Sequence, residues 1–172
     1  KTVADPFVGK MSFFKVMNGT LTRDMTLKNT SSGTTEKMAH IYIMKGNKQV
    51  EVDELACGDI GMVSKLADTN TCDTLSRSGK VEYKKVDYAT PYFCKAMYPL
   101  TAKDESKISQ AIARMTEEDR TLRYENNAET SQQLIYAMGD MHLTILAANL
   151  KNRFGVNIKY ETPAIAYREK IT

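Results

Sequence analysis

Residues 138–143, which read M-G-D-M-H-L, hold the side chains of this sequence that come closest to a functional pattern. Gly139 separates a predicted strand from a predicted helix, and the turn places the Asp140 carboxylate and the His142 imidazole at the start of that helix. Carboxylates and imidazoles form directed hydrogen bonds with a partner. The stretch is therefore the turn at which a predicted strand ends, with Met138, and a long helix begins.

The helix that follows must position any such site. It is predicted from apolar residues at positions i, i+3, i+4, i+7 and i+11, namely Leu143, Leu146, Ala147, Leu150 and Phe154. Gly155 is expected to end it as a C-terminal cap. At about 100° per residue, four further residues share a flank away from this stripe: His142, Ile145, Asn149 and Arg153. Spacing alone favours a solvated flank, and a surface that meets a partner is the alternative.

A catalytic centre is not predicted. Glu117, Glu118 and Asp119 resemble a general acid-base group, but they end a predicted helix with no histidine nearby in the sequence, which favours a solvated helix end. The stretch 9–12, G-K-M-S, resembles the end of a phosphate-binding loop. However, Ala4 stands where that motif needs glycine, and Met11 stands where it needs a hydroxyl.

Composition excludes several other classes of protein. The three cysteines are widely spaced and only two histidines are present, so neither a metal site nor a disulfide framework is predicted. The net charge of +3 is too small to indicate nucleic-acid binding by itself. No apolar run is long enough to span a bilayer. We expect a cytoplasmic protein with no membrane contact and, since it starts at Lys1 rather than methionine, a piece of a longer one.

The first half of the chain predicts an all-β antiparallel barrel. Short apolar or alternating segments separated by turn residues are predicted as strands at 12–16, 25–27, 38–44, 50–55 and 60–66. Asn18-Gly19 predicts a two-residue hairpin between the first two, because a type I′ turn needs positive φ at both central residues. A domain boundary is expected near residue 88, which gives a barrel at 1–88.

The second half, 89–172, predicts an α+β ferredoxin-like domain with the order βαββαβ. Strands are predicted at 92–98, 122–125, 133–138 and 156–160. Thr101 and Asp104 resemble a capping box, and four apolar residues give the first helix its buried face: Ile108, Ala111, Ile112 and Met115. Residues 163–172 are expected to lead into a further domain.

Basic and aromatic residues alternate in the predicted strand 81–86. Lys84 and Lys85 lie beside Tyr83 and Tyr88, which is typical of a strand that faces RNA. An edge strand protected by lysines explains the same pattern.

Taken in order, these segments resemble bacterial translation elongation factor G, domains II and III. The matching stretches are D-P-F-V-G at 5–9, G-D-I at 58–60, D-T-L at 73–75, E-D at 118–119, M-G-D-M-H-L at 138–143 and A-Y-R-E at 166–169. They follow the family order across nearly the whole chain. Five positions depart from the family pattern, as in a divergent paralogue: Asp140 replaces Glu, Met141 replaces Leu, Arg120 replaces Pro, Cys72 replaces Gly, and Asn149 stands where Arg is common.

The resemblance implies a fragment of a GTPase that binds the ribosome and promotes GTP-dependent translocation of tRNA and mRNA. GTP and Mg would bind in a missing GTPase domain. The implied partners are small-subunit rRNA and protein, the parent's own GTPase and tip domains, and the antibiotic fusidic acid. Residues implied at the junction with the GTPase switches are Met138, Gly139, Asp140, His142, Asn149 and Arg153, with Lys84 and Lys85 as rRNA contacts. A ribosomal protection protein of the tetracycline-resistance type and a free-standing module that binds RNA or a ligand remain alternatives.

Overall fold

The structure, a computed structural model, describes residues 1–5 and 8–167. It forms two compact units, Lys1–Asp87 and Tyr88–Thr172. Residues 6–7, within the D-P-F-V-G stretch, and 168–172, with the last half of A-Y-R-E, lie outside the described residues.

Unit 1 is built from short strands around one apolar core. The strands are β1 Thr2–Asp5, β2 Gly9–Lys15, β3 Thr20–Thr22, β4 Met25–Asn29, β5 Thr35–Met38, β6 Ile41–Lys45, β7 Lys48–Val52, β8 Glu54–Ala56, β9 Ile60–Ser64 and β10 Leu75–Ser76. They pair antiparallel in three sheets, ordered β1-β2-β9-β6-β7, β10-β4-β5 and β3-β8. The buried core residues are Val16, Leu21, Met38, Ile41, Leu55, Val63 and Leu66. The predicted antiparallel barrel is confirmed, with its hydrogen bonding divided among these three sheets.

Two predicted strands are each two strands in the structure. Strand 38–44 breaks between β5 and β6, and strand 50–55 breaks at Asp53 between β7 and β8. In each case the chain leaves one sheet and enters another. Backbone bonds hold the two corners, because Asp24 N donates to Met38 O and Arg23 N donates to Asp53 O. An alternating pattern persists through such a corner, so it does not reveal the break.

Two further predictions for unit 1 are wrong. Asn18-Gly19 does not close a hairpin, since β2 and β3 belong to different sheets; Gly19, at φ +74°, turns the chain from one to the other. Residues 81–86 form no strand. Their backbone pairs with side chains instead: Thr30 Oγ1 donates to the Val81 carbonyl, and Tyr83 N donates to Thr74 Oγ1.

Unit 2 has the predicted βαββαβ order. Its elements are β11 Phe93–Pro99, α1 Ala102–Glu118, β12 Arg123–Asn127, β13 Gln132–Ala137, α2 Asp140–Phe154 and β14 Ile158–Glu161. The strands form one antiparallel sheet in the order β12-β13-β11-β14. Both helices contribute to a single core with that sheet, so the ferredoxin-like prediction is confirmed.

The start of α1 follows its sequence signals closely. Thr101 Oγ1 accepts a hydrogen bond from the Asp104 backbone N at 3.2 Å, which satisfies one of the unpaired donors of the first turn. The Asp104 carboxylate accepts from Thr101 Oγ1 at 2.7 Å and from the Asn157 backbone N at 3.1 Å. This aspartate therefore joins the helix start to the segment before β14. The four apolar residues predicted to be buried in α1 are all buried.

Helix α2 packs through the predicted apolar stripe. Leu143, Leu146 and Leu150 are each at most 1% exposed. Gly155 adopts the left-handed conformation at φ +65°, and its N–H donates to the carbonyls of Leu150 and Lys151, which ends the helix. The helix is thereby fixed on the sheet along its whole length.

Among the described residues, none of the helices has the length and apolar character needed to cross a membrane.

Candidate functional site

The turn between β13 and α2 brings the M-G-D-M-H-L stretch to one end of unit 2. β13 ends at Ala137, and α2 begins at Asp140 after an extended Gly139. Within the described part of the chain, no side chain caps the start of this helix. Instead, Met138 N donates to His142 Nδ1 at 3.3 Å, so the first turn of the helix holds the end of the strand.

His142 also links α2 to the end of α1. Its Nε2 lies 3.0 Å from Asp119 Oδ2, and its side chain is only 19% exposed. Because Nδ1 accepts from the Met138 N–H, the ring proton sits on Nε2 and is donated to the carboxylate. This arrangement selects one neutral tautomer of the imidazole and fixes its orientation.

The Asp119 carboxylate is held in its charged form. Partial burial opposes ionisation, but the hydrogen bonds from the Thr121 hydroxyl, the Thr121 backbone and His142 outweigh it and lower the pKa of Asp119 below its ordinary value. The Thr121 hydroxyl and backbone N lie 2.6 and 2.8 Å from Asp119 Oδ1. The carboxylate therefore accepts from His142 on one oxygen and from Thr121 on the other.

A second link between the helices lies near the other end of α2. Arg153 NH2 is 2.9 Å from Glu118 Oε2, and NH1 is 3.3 Å from Oε1, which is a bidentate pair. The two side chains are only 23% and 22% exposed. We call the His142–Asp119 and Arg153–Glu118 contacts together the α1–α2 brace.

The brace changes the interpretation of the flank predicted from spacing. His142 and Arg153 are not simply aimed outwards, because both bind acidic residues at the end of α1. The expectation of a solvated helix end for Glu118 and Asp119 is wrong for the same reason. No local pattern signals these pairs, since they join residues 35 and 23 positions apart. Asn149 lies on the same flank and is partly buried.

The outward side of α2 carries an apolar surface instead. Met138, Met141 and Ile145 are 51%, 72% and 52% exposed. Met141 and Ile145 are one turn apart on the side of α2 opposite the core stripe. Met138 lies just before the helix, between the end of β13 and Gly139. Tyr92, at 85% exposed, precedes the Phe93–Ala137 pair of the β11–β13 ladder and so flanks Met138. We call Met138, Met141 and Ile145 the apolar face.

Sequence spacing identified only part of this face. Met138 is a predicted site residue and Ile145 lies on the predicted flank, but Met141 belongs to neither group. The sequence did carry one signal for Met141. Helix α2 has apolar residues on two opposite sides, whereas a helix that only covers a sheet needs a single apolar stripe. Exposed apolar residues that are grouped in this way mark contact surfaces more often than scattered ones do.

The two lysines predicted as RNA contacts belong to unit 1. Lys84 Nζ lies 3.7 Å from Asp87 Oδ2, and the Lys84 side chain is 88% exposed. Lys85 Nζ lies 3.4 Å from Asp73 Oδ1, a carboxylate that is itself largely buried. Lys84 therefore extends into solvent, whereas Lys85 is engaged within its own unit.

No metal-binding cluster is found in the part of the chain that the structure describes, where no three His, Cys, Asp or Glu side chains converge.

Both units match known protein families. Residues 1–78 match the family described as Elongation factor G domain 2, and residues 88–162 match the family described as Elongation Factor G, domain III. The elongation factor G of Petrotoga mobilis is 35% identical over 172 residues, which is 99% of this chain and 25% of that protein. The elongation factor G of Cytophaga hutchinsonii is 36% identical over 173 residues, with 100% and 25% coverage.

A solved structure has the same fold. A crystal structure of a protein from Thermus thermophilus superposes with a TM-score of 0.83 at 25% identity, and the match covers 96% of this chain and 25% of that one. The chain thus spans a quarter of the length of the curated relatives it matches.

Proposed function

Since this chain belongs to the elongation factor G family, with its two units corresponding to domains II and III, we propose that it is part of a translational GTPase. The parent protein would bind the ribosome and promote GTP-dependent translocation of tRNA and mRNA in the cytoplasm. GTP and Mg would bind in its GTPase domain. The present chain would relay the state of that nucleotide to the rest of the protein.

The observation that carries this proposal is the apolar face on α2. It lies beside Gly139 and Asp140, in the stretch whose resemblance to the family implies a junction with the GTPase switches, with Asp140 in place of the family's Glu. Burying three side chains that are half exposed or more would stabilise a contact with another domain. The GTPase domain of the same parent chain is the occupant that the family relationship supports.

The brace supports a relay that works by position and not by chemistry. Met138, Gly139 and Asp140 would contact the switches, whereas His142 and Arg153 would act through α1. When the GTP-bound switches order, they would favour one packing of the apolar face, and hydrolysis would release it. Since α2 is bound to Glu118 and Asp119, a shift of this helix would be passed to α1 and the sheet.

The remaining family partners follow from the same proposal. Unit 1 would contact small-subunit rRNA, and Lys84 is the better placed of the two lysines because its ammonium group reaches solvent. Unit 2 would contact a small-subunit protein, and fusidic acid would bind near the junction. The boundary between the two domains would lie close to residue 88.

Replacing Ile145 with glutamate in the full-length protein tests the proposal. Ile145→Glu places a charge on the apolar face at a position that is already exposed, so the fold should tolerate it. We expect ribosome-stimulated GTP hydrolysis and translocation to fall by about tenfold or more, because the charge would be buried without a partner on docking. The measurement is single-turnover GTP hydrolysis with and without ribosomes.

Ala113→Glu is the matched control. Ala113 is exposed on α1, so this variant adds the same charge to the other helix and away from the apolar face. It should behave like the wild type. Equal rates for Ile145→Glu and the wild type would show that the apolar face does not serve nucleotide coupling.

A further inference from the structure

Methionines are unevenly distributed between the inside and the outside of this protein. Of its ten methionines, five are at most 8% exposed: Met11, Met38, Met62, Met97 and Met115. Met17, Met138 and Met141 are exposed by half or more. Two of these three, Met138 and Met141, lie on the apolar face and are three residues apart in the chain.

Met141 is the most exposed of the three, at 72%. Methionine is similar to leucine in volume and is apolar, so it packs in the same kind of contact. It has a property that leucine lacks, because a thioether can be oxidised reversibly.

We propose that Met138 and Met141 form a reversible oxidation site that controls docking on the apolar face. A peroxide transfers one oxygen atom to the sulfur, which becomes a sulfoxide, while hydrogen peroxide is reduced to water. A thiol-dependent methionine sulfoxide reductase reverses the step. The inference rests on the proposed function, since it takes the GTPase domain as the partner that docks here.

The surroundings of the apolar face explain why a sulfoxide would weaken docking. The sulfoxide oxygen is a strong hydrogen-bond acceptor and is costly to bury without a donor. The His142 side chain on the first turn of α2 is already engaged, because Nε2 lies against Asp119 and Nδ1 accepts from the Met138 N–H. A sulfoxide on either methionine would therefore gain no hydrogen bond from this side chain. Its oxygen would lose its water on docking, which costs free energy that a thioether does not lose.

Accessibility is tested first on the 172-residue chain. After brief treatment with hydrogen peroxide, peptide mass spectrometry measures the oxidised fraction at every methionine. We expect Met141, Met138 and Met17 to react at least about tenfold faster than the five buried methionines, since oxidation follows exposure. Protection of Met138 and Met141 comparable to that of Met62 would overturn the proposal.

The functional test compares three forms of the full-length protein: the wild type, M138L/M141L and Met17→Leu. Peroxide treatment of the wild type should lower ribosome-stimulated GTP hydrolysis by about tenfold, and methionine sulfoxide reductases should restore it. The double variant M138L/M141L is compared with its own untreated activity, whatever that level is, and peroxide should change it by less than about twofold, because no thioether remains on the apolar face. Met17→Leu, which removes the exposed methionine of unit 1, should remain as sensitive as the wild type. The thiol reductant alone, without the reductases, is the control, because it reduces disulfides and sulfenic acids but leaves methionine sulfoxide in place; recovery that requires the reductases identifies the sulfoxides.

Two results would contradict the inference. One is an M138L/M141L variant that loses activity as the wild type does. The other is a wild type that is oxidised at both positions and fully active. Failure of the inference can be told from failure of the proposed function by the unoxidised Ile145→Glu variant. If Ile145→Glu is impaired and oxidation has no effect, the apolar face docks but is not redox-controlled.

Discussion

At the scale of single residues, His142 shows how one side chain can fix two elements. The two ring nitrogens have opposite roles in hydrogen bonding. Nδ1 accepts from the Met138 N–H at the end of β13, and Nε2 donates to Asp119 at the end of α1. Neither bond survives replacement of the ring by a small side chain. Helical spacing alone indicated an ordinary surface histidine. In the structure, His142 connects the end of β13, the end of α1 and the first turn of α2.

The lowered pKa of Asp119 predicts how unfolding depends on pH. A carboxylate whose pKa is lower in the folded than in the unfolded protein stabilises the fold above its ordinary pKa, and this contribution is lost as the pH falls through the folded value. We expect Asp119→Asn to be less stable than the wild type at neutral pH, and the difference to shrink from about pH 5 downwards. Urea unfolding over this range measures it. A difference that stays constant with pH would show that the Asp119 charge is not involved.

At the scale of elements, the brace is the feature that joins α1 to α2 beyond their apolar contact. Each link pairs an acidic side chain at the end of α1 with a nitrogen-bearing side chain of α2, and the four side chains are 19% to 38% exposed. Such partly buried pairs depend less on salt than exposed pairs do. The packing of the two helices is therefore specified by charge as well as by volume.

A double-mutant cycle on Glu118→Gln and Arg153→Met tests whether the Arg153–Glu118 contact stabilises the packing of α1 against α2. We expect a coupling free energy within the range of about 0.5 to 3 kcal/mol that is typical of contacting residues in one network. The control cycle is Lys159 with Glu161, a pair 2.6 Å apart whose side chains are 54% and 49% exposed. Its coupling should be clearly smaller than that of Glu118 with Arg153, because solvent screens it. Equal couplings in the two cycles would mean that the brace adds no more than a surface contact.

Elements with strong local signals were predictable, and elements defined by distant contacts were not. The capping residue Thr101, the stripe of α1 and the Gly155 cap carry their information within one or two turns, and these signals located both helices. The corners at residues 39–40 and 53 depend on which sheet a strand joins, and that choice is made by residues far away in the chain. The brace could not be predicted for the same reason, because its partners are 23 and 35 positions apart in the chain.

At the scale of the whole molecule, each unit has a core of its own. The core of unit 2 includes buried residues from both helices and from its sheet, and the core of unit 1 consists of residues from its own strands and turns. The two described sets share no residue. The packing within each unit therefore contributes to the stability of that unit.

Leu146→Ala is expected to destabilise unit 2 alone. Leu146 is 1% exposed, and truncating a buried leucine to alanine costs about 2 to 5 kcal/mol through lost burial and the cavity left behind. Amide hydrogen exchange should accelerate in β11, β13 and α2, while β2 and β9 keep their protection. Loss of protection in both units together would show that they unfold as one. Leu143→Met, at a neighbouring buried position, is the control, because it conserves volume and should cost less than about 1.5 kcal/mol.

The spacing of the brace along α2 has a mechanical consequence. His142 and Arg153 are eleven residues apart, about 16 Å of helix at 1.5 Å per residue. Both bind neighbouring positions at the end of α1, residues 118 and 119. Two contacts this far apart along α2 resist rotation of the helix about either one. We expect a load applied at Met141 to move α2 together with the end of α1, so that a local force becomes a displacement of both helices.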